Sequence, residues 1–170
     1  LPAAVHGVFA AGVLPLIIGV ISHFLPVLTR SGQAPRGILL APLLLQLCGV
    51  STVLHFLGQI DDHQLSMTAL SAMAIVAAFA GWMIVRARRT LGRPHPCWQW
   101  YLAALFCLLL ALALIPAMER WPAAHIVWRR LHIHLNTLGF IGLTALGTLQ
   151  VLLPTVVGDP DPDAATRLRQ

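Results

Sequence analysis

Five stretches of this chain carry no charged residue: positions 1–29, 37–60, 64–85, 94–118 and 131–158. Each exceeds the ~20 residues that a helix needs to cross the hydrocarbon core of a bilayer. In lipid every backbone N–H and C=O must be satisfied internally. Unbroken apolar runs of this length therefore specify helices, not barrel strands with their alternating faces. The pattern predicts an all-α, polytopic membrane protein with five transmembrane helices at about 3–29, 37–60, 64–89, 95–118 and 123–157. Positions 1–158 form the membrane domain. The turn-rich tail over 159–170 reads as a terminus or the start of a loop.

Composition closes the soluble alternative. Of 170 residues 58% are hydrophobic, and only 11 are basic and 6 acidic, whereas a soluble domain carries about 25% charge. The net charge of +5 resides on arginine alone, with no lysine and no basic stripe interleaved with aromatics. A nucleic-acid partner is excluded on that ground. Cys48, Cys97 and Cys107 lack CxxC spacing, so neither a disulfide framework nor a zinc knuckle is expected. The first residue is Leu, consistent with a processed form or a fragment, and no basic segment precedes the first apolar run.

The arginines are unequally shared. Arg30, Arg36, Arg86, Arg88, Arg89, Arg93, Arg167 and Arg169 belong to one side of a five-span topology, and Arg120, Arg129 and Arg130 to the other. The positive-inside rule then places the N-terminus in the periplasm and the C-terminus in the cytoplasm of a bacterial inner membrane. His6, His55, His63, His125, His132 and His134 fall at or beyond the outer helix ends, and His23 and His95 on the inner side.

Two helices share one layout. His6, Gly19 and Leu25-Pro26 recur as His134, Gly147 and Leu153-Pro154, at a constant offset of 128 residues. A repeat is worth seeking early because it governs the architecture. His132 and His134 stand two apart, hence about 200° apart around a helix, and serve different neighbours. Arg129 and Arg130 precede them by three and four residues. A haem needs an axial imidazole and cations for its propionates, and helix 5 carries both kinds of group.

The run His132-Ile-His134, with Gly139, Gly147, Pro154 and Gly158 behind it, resembles the tenth helix of the haem–copper oxidase catalytic subunit. The run from His6 to Pro26 is similar to the second helix of that family. The resemblance covers about 50 residues in helices 1 and 5. It implies haem b held by His6 and His134, with Arg129 and Arg130 on the propionates and His132 on a second haem or a copper. It also implies a family period of four helices. Under that period helix 5, as the tenth, lies one repeat from the sixth, which places His6 and His55 at copper-ligand positions. Imidazole suits either metal, and both registers stay open. The chain departs from true oxidases. Its one tyrosine, Tyr101, has Cys97 rather than His four residues before it, no His-His pair exists, and no carboxylate falls within a charge-free span. Oxygen reduction by this chain alone is not expected.

The function read from these features is electron transfer or redox chemistry of nitric oxide or metals. Its setting is a larger assembly with membrane lipid and other subunits, or a second copy of the chain. The redox partner is left open. Rival readings are a copper- or haem-handling transporter and a structural subunit without cofactor. Gly12, Gly19, Gly139, Gly142 and Gly147 read as close-packing sites. Trp82, Trp98, Trp100, Trp121 and Trp128 read as interfacial belt residues, and Cys48 and Cys107 as small core residues. Asn136 reads as a partner for a ligand or a neighbouring helix. The orientation has a direct test. With the native cysteines replaced, Gln64→Cys should react with an impermeant thiol reagent in intact cells, and Gln33→Cys only after permeabilisation. The reverse pattern would invert the topology.

Overall fold

A computed structural model describes residues 1–90, 93–158 and 166. All regular structure among them is helical. Five helices are long and apolar enough to span a membrane: α1 (Pro2–Leu28), α2 (Arg36–Phe56), α3 (Asp62–Arg88), α4 (Trp98–Arg120) and α5 (Pro122–Pro154). The chain is a multi-pass helical membrane protein. Large apolar side chains such as Leu16, Leu47, Phe106, Leu138 and Leu149 point outward, as a lipid-facing surface requires.

Each helix packs on its neighbour in the chain, and short loops make the neighbours antiparallel. The α1–α2 register pairs Gly7 with Val53, Ala10 with Gly49 and Gly19 with Pro42. The α4–α5 register pairs Cys97 with Gln150, Tyr101 with Thr148, Cys107 with Gly139 and Ala111 with His132. One end of the bundle therefore gathers His6, His55, His63, His125, His132 and His134, and the other Arg30, Arg36, Arg86, Arg88, Arg89 and Arg93. These are called the histidine end and the arginine end below.

The buried core is off-centre, towards the arginine end. Ile18, Ile21 and Leu25 of α1 meet Leu45 of α2, Phe79 and Met83 of α3, Tyr101 and Leu105 of α4, and Phe140 of α5. The last fifteen residues of α1 also touch α4. By contrast Pro2–Val8, Phe9–Val13 and His125–His134 bury no residue. Helices α1 and α5 are not packed along each other. The bundle is dense at one end and loose at the histidine end.

Polar staples hold the helices in register. The hydroxyls of Ser51 and Thr68 join α2 to α3 at 3.1 Å, and Ser66 donates to the Glu119 carboxylate across α3 and α4. Tyr101 and Thr148 share a hydrogen bond at 3.1 Å between α4 and α5. Arg86 ties the α1–α2 loop down by donating to the carbonyls of Gly32 and Gln33, at 3.1 and 3.0 Å. Bonds of this kind are worth roughly 0.6–2 kcal/mol each in a bilayer.

Helix α1 ends in a Schellman turn, in which Ser31 N–H donates to Pro26 and Arg30 N–H to Val27. Arg30 occupies the left-handed position, φ 45°. Glycine fits there freely, and an L-residue costs roughly 1–2 kcal/mol. Both α1 and α5 also depart from α-geometry in mid-helix, with π-helical turns at Phe9–Val13 and Leu135–Gly142.

The close-packing expectation holds for two glycines on α5. A Cβ on Gly139 would fall 2.6 Å from Cys107 Cβ, and one on Gly147 would fall 2.9 Å from Trp100 Cβ. The tightest approach was not anticipated: a Cβ on Gly49 would collide with the backbone of Ala10, which has no rotamer with which to yield. Gly81, inside α3, faces open space. Gly49→Ala should therefore destabilise the protein in detergent by about 1–3 kcal/mol through overpacking. Gly81→Ala should be neutral or stabilise by up to ~1 kcal/mol, because Gly is the poorer helix former. Unfolding curves of the two variants decide whether α1 and α2 meet at this glycine.

Candidate functional site

His6 and His134 are held by the same device. His6 donates from Nδ1 to the Pro2 carbonyl at 2.9 Å, and His134 from Nδ1 to the Arg130 carbonyl at 2.8 Å, each four residues back on its own helix. A carbonyl can only accept, so Nδ1 carries a proton, and in the neutral ring Nε2 then keeps its lone pair. Neither Nε2 has a hydrogen-bond partner among the described residues. Tethering one ring nitrogen to a carbonyl is how proteins fix the tautomer of a metal-ligating histidine.

The repeat seen as letters is also a repeat of geometry. At the 128-residue offset Pro2 corresponds to Arg130 and His6 to His134, and the π-helical turn Phe9–Val13 falls within Leu135–Gly142. Gly19 meets Gly147 and Pro26 meets Pro154 at the same offset. A π-turn weakens the regular ladder, and such turns concentrate at functional sites.

The settings of the two imidazoles differ. His6 is half-buried and stacks on Phe56, the last residue of α2, with ring centroids 4.4 Å apart. His134 is exposed. His132, two residues earlier, faces α4 and donates from Nδ1 to the Ala111 carbonyl at 2.8 Å. The two histidines of the HxH pair thus occupy different sides of α5, as their spacing requires. The amide of Asn136 donates to the His132 carbonyl at 2.8 Å and lies 3.3 Å from its Nε2. Asn136 therefore serves its own helix. Both ring nitrogens of His132 are engaged, and the imidazole also lies within electrostatic reach of His6.

His55 staples the α2–α3 loop. Its Nδ1 donates to the Ile60 carbonyl at 2.9 Å, and its Nε2 stands 3.6 Å from an Asp62 oxygen. Its ring meets the edge of Phe56 at 5.1 Å, so His6 and His55 touch the same phenyl ring from two helices. Among the described residues no three His, Cys, Asp or Glu side chains converge on one point where a metal ion could sit. Arg129 and Arg130 are exposed. His63 and His125 are exposed at the same end of the bundle.

One feature lay outside the sequence reading. The indole N–H of Trp128 is buried and has no acceptor among the described residues. It sits one turn before His132 and directly precedes Arg129, so a buried donor and two cations lie together on α5. The sequence reads Trp128 as an interfacial belt residue, and its half-buried ring adds a buried N–H at that position. The 132 and 134 positions should respond differently to truncation. His132→Ala removes an interhelical hydrogen bond and should cost about 1–2 kcal/mol. His134→Ala removes an exposed side chain and should stay within ~0.5 kcal/mol. Equal losses in denaturation midpoint would contradict the placement of His132 against α4. Comparison of the chain with protein-family models, with curated protein sequences and with solved structures finds no match.

Proposed function

We propose that this chain is a haem b-binding membrane protein of electron transfer or of redox chemistry on nitric oxide or metals. It works in a larger assembly in a bacterial inner membrane, with the histidine end towards the periplasm. The observation that carries this reading is the duplicated imidazole device. His6 and His134 each present a free Nε2 lone pair, each is tethered through Nδ1 to the carbonyl four residues back, and each is followed by a π-helical turn. The resemblance of helices α1 and α5 to the haem–copper oxidase catalytic subunit belongs to the same proposal.

The residues present fit a haem in their donor chemistry. Neutral imidazoles are the axial donors it takes. The buried N–H of Trp128, unpaired among the described residues, and the exposed guanidinia of Arg129 and Arg130 are the donors that carboxylates accept from. The loose packing between α1 and α5 leaves the histidine end without a core to displace. When bound, a bis-imidazole haem supplies a one-electron iron couple. The chain's own contribution is to fix the two tautomers and to set positive charge beside the propionates. Apolar spans then exclude water from the rest of the path.

One observation favours a second ligand set. His132 of α5 lies within electrostatic reach of His6. In that case Asn136 would have to release Nε2 of His132. Purified wild-type protein, expressed with haem supplied, should show a Soret band and a low-spin α band. His134→Ala should abolish the low-spin spectrum, while His132→Ala retains it. Arg130→Ala should keep the haem and weaken its retention by about tenfold, one charge-assisted contact among several. The opposite result for the two histidine variants assigns the ligand to His132. A wild-type protein without a Soret band, or identical spectra for both variants, overturns the haem reading and leaves a structural subunit.

A further inference from the structure

At the arginine end a cavity of about 510 Å³ opens between the last turns of α1 and the loop into α2. Its lining is part polar, with Arg30, His23, Ser31 and Gln33, and part apolar, with Val27 and Leu39. No carboxylate of the described residues lines it. The acidic residues among those described, Asp61, Asp62 and Glu119, all stand at the histidine end. The guanidinium of Arg30 and the imidazole of His23 make no hydrogen bond or ion pair among the described residues. Val27 is 72% exposed and Leu39 43%, so the apolar wall continues onto the outer surface.

The polar wall is built, not adventitious. Arg86 pins the carbonyls of Gly32 and Gln33, His95 N–H donates to the Leu28 carbonyl, and the Thr29 and Ser31 hydroxyls bond each other at 2.8 Å. Within this fixed loop Arg30 takes the one left-handed position, where glycine would be unstrained. Strain of that kind is tolerated where a side chain has a task. Here the side chain is a cation without a counter-charge among the described residues, at the level where the spans end and lipid headgroups begin.

We propose that this cavity binds the phosphate of an anionic phospholipid. Arg30 and His23 hold the phosphate oxygens, the Gln33 amide donates to the headgroup, and an acyl chain follows Val27 and Leu39. The shared chemistry is a phosphate anion, and the continuous apolar wall points to lipid as its source rather than a soluble ester.

Purified full-length protein in detergent is titrated with phosphatidylglycerol, phosphatidylcholine or inorganic phosphate, and its Tm is followed. Phosphatidylglycerol should raise Tm saturably, with a midpoint about fivefold below that of phosphatidylcholine, the factor expected for one interfacial arginine. Arg30→Gly and Arg30→Asn both suit the left-handed position and should abolish this preference. Their Tm without lipid should be unchanged or higher. Arg36→Gln, outside the cavity wall, should keep the preference. A lipid preference that survives in both Arg30 variants overturns the site. An equal, saturable rise with inorganic phosphate at the same concentration overturns the lipid assignment.

Discussion

A backbone amide inside a bilayer has no water to turn to, and the rest of this structure follows from that constraint. It forces the five charge-free runs into helices. It also makes each interruption of the regular ladder informative, because the freed groups must be satisfied by the helix itself. The π-turns at Phe9–Val13 and Leu135–Gly142 meet that requirement by longer bonds within their own helices. Between helices the same constraint explains the staples, since Ser66, Tyr101 and His132 each direct a polar group at a neighbouring helix rather than at lipid.

The helices were legible in the sequence because charge is so costly in hydrocarbon that its absence marks a span. The opposite roles of His132 and His134 were legible too, since helical rotation alone separates side chains two residues apart. The π-turns were not. Leu135–Gly142 is an apolar run with two glycines, and nothing in the order of its letters distinguishes a π-turn from an α-turn. The Gly49–Ala10 contact was missed because Gly49 lies outside the repeat that drew attention to the other glycines.

The repeat shared by α1 and α5 shows a different limit. A repeat states that two segments are equivalent, and equivalence is not contact. In the fold each member of the pair packs beside its own partner, α1 on α2 and α5 on α4. Burial, which decided that Trp128 is a donor in want of an acceptor, is likewise a property of three-dimensional packing and has no sequence signature.

The neighbour-on-neighbour packing also has a kinetic consequence. Every large interface joins consecutive helices, so native contacts are short in sequence separation, the condition under which chains find their partners fastest. During synthesis the hairpin of α1 and α2 can close on Gly49 before α3 exists, and each later helix meets a surface already in place. The exception is the contact between the second half of α1 and α4, which bridges the two intervening helices α2 and α3. That closure must wait for the fourth helix to emerge, and it converts a row of paired helices into a bundle with a shared interior.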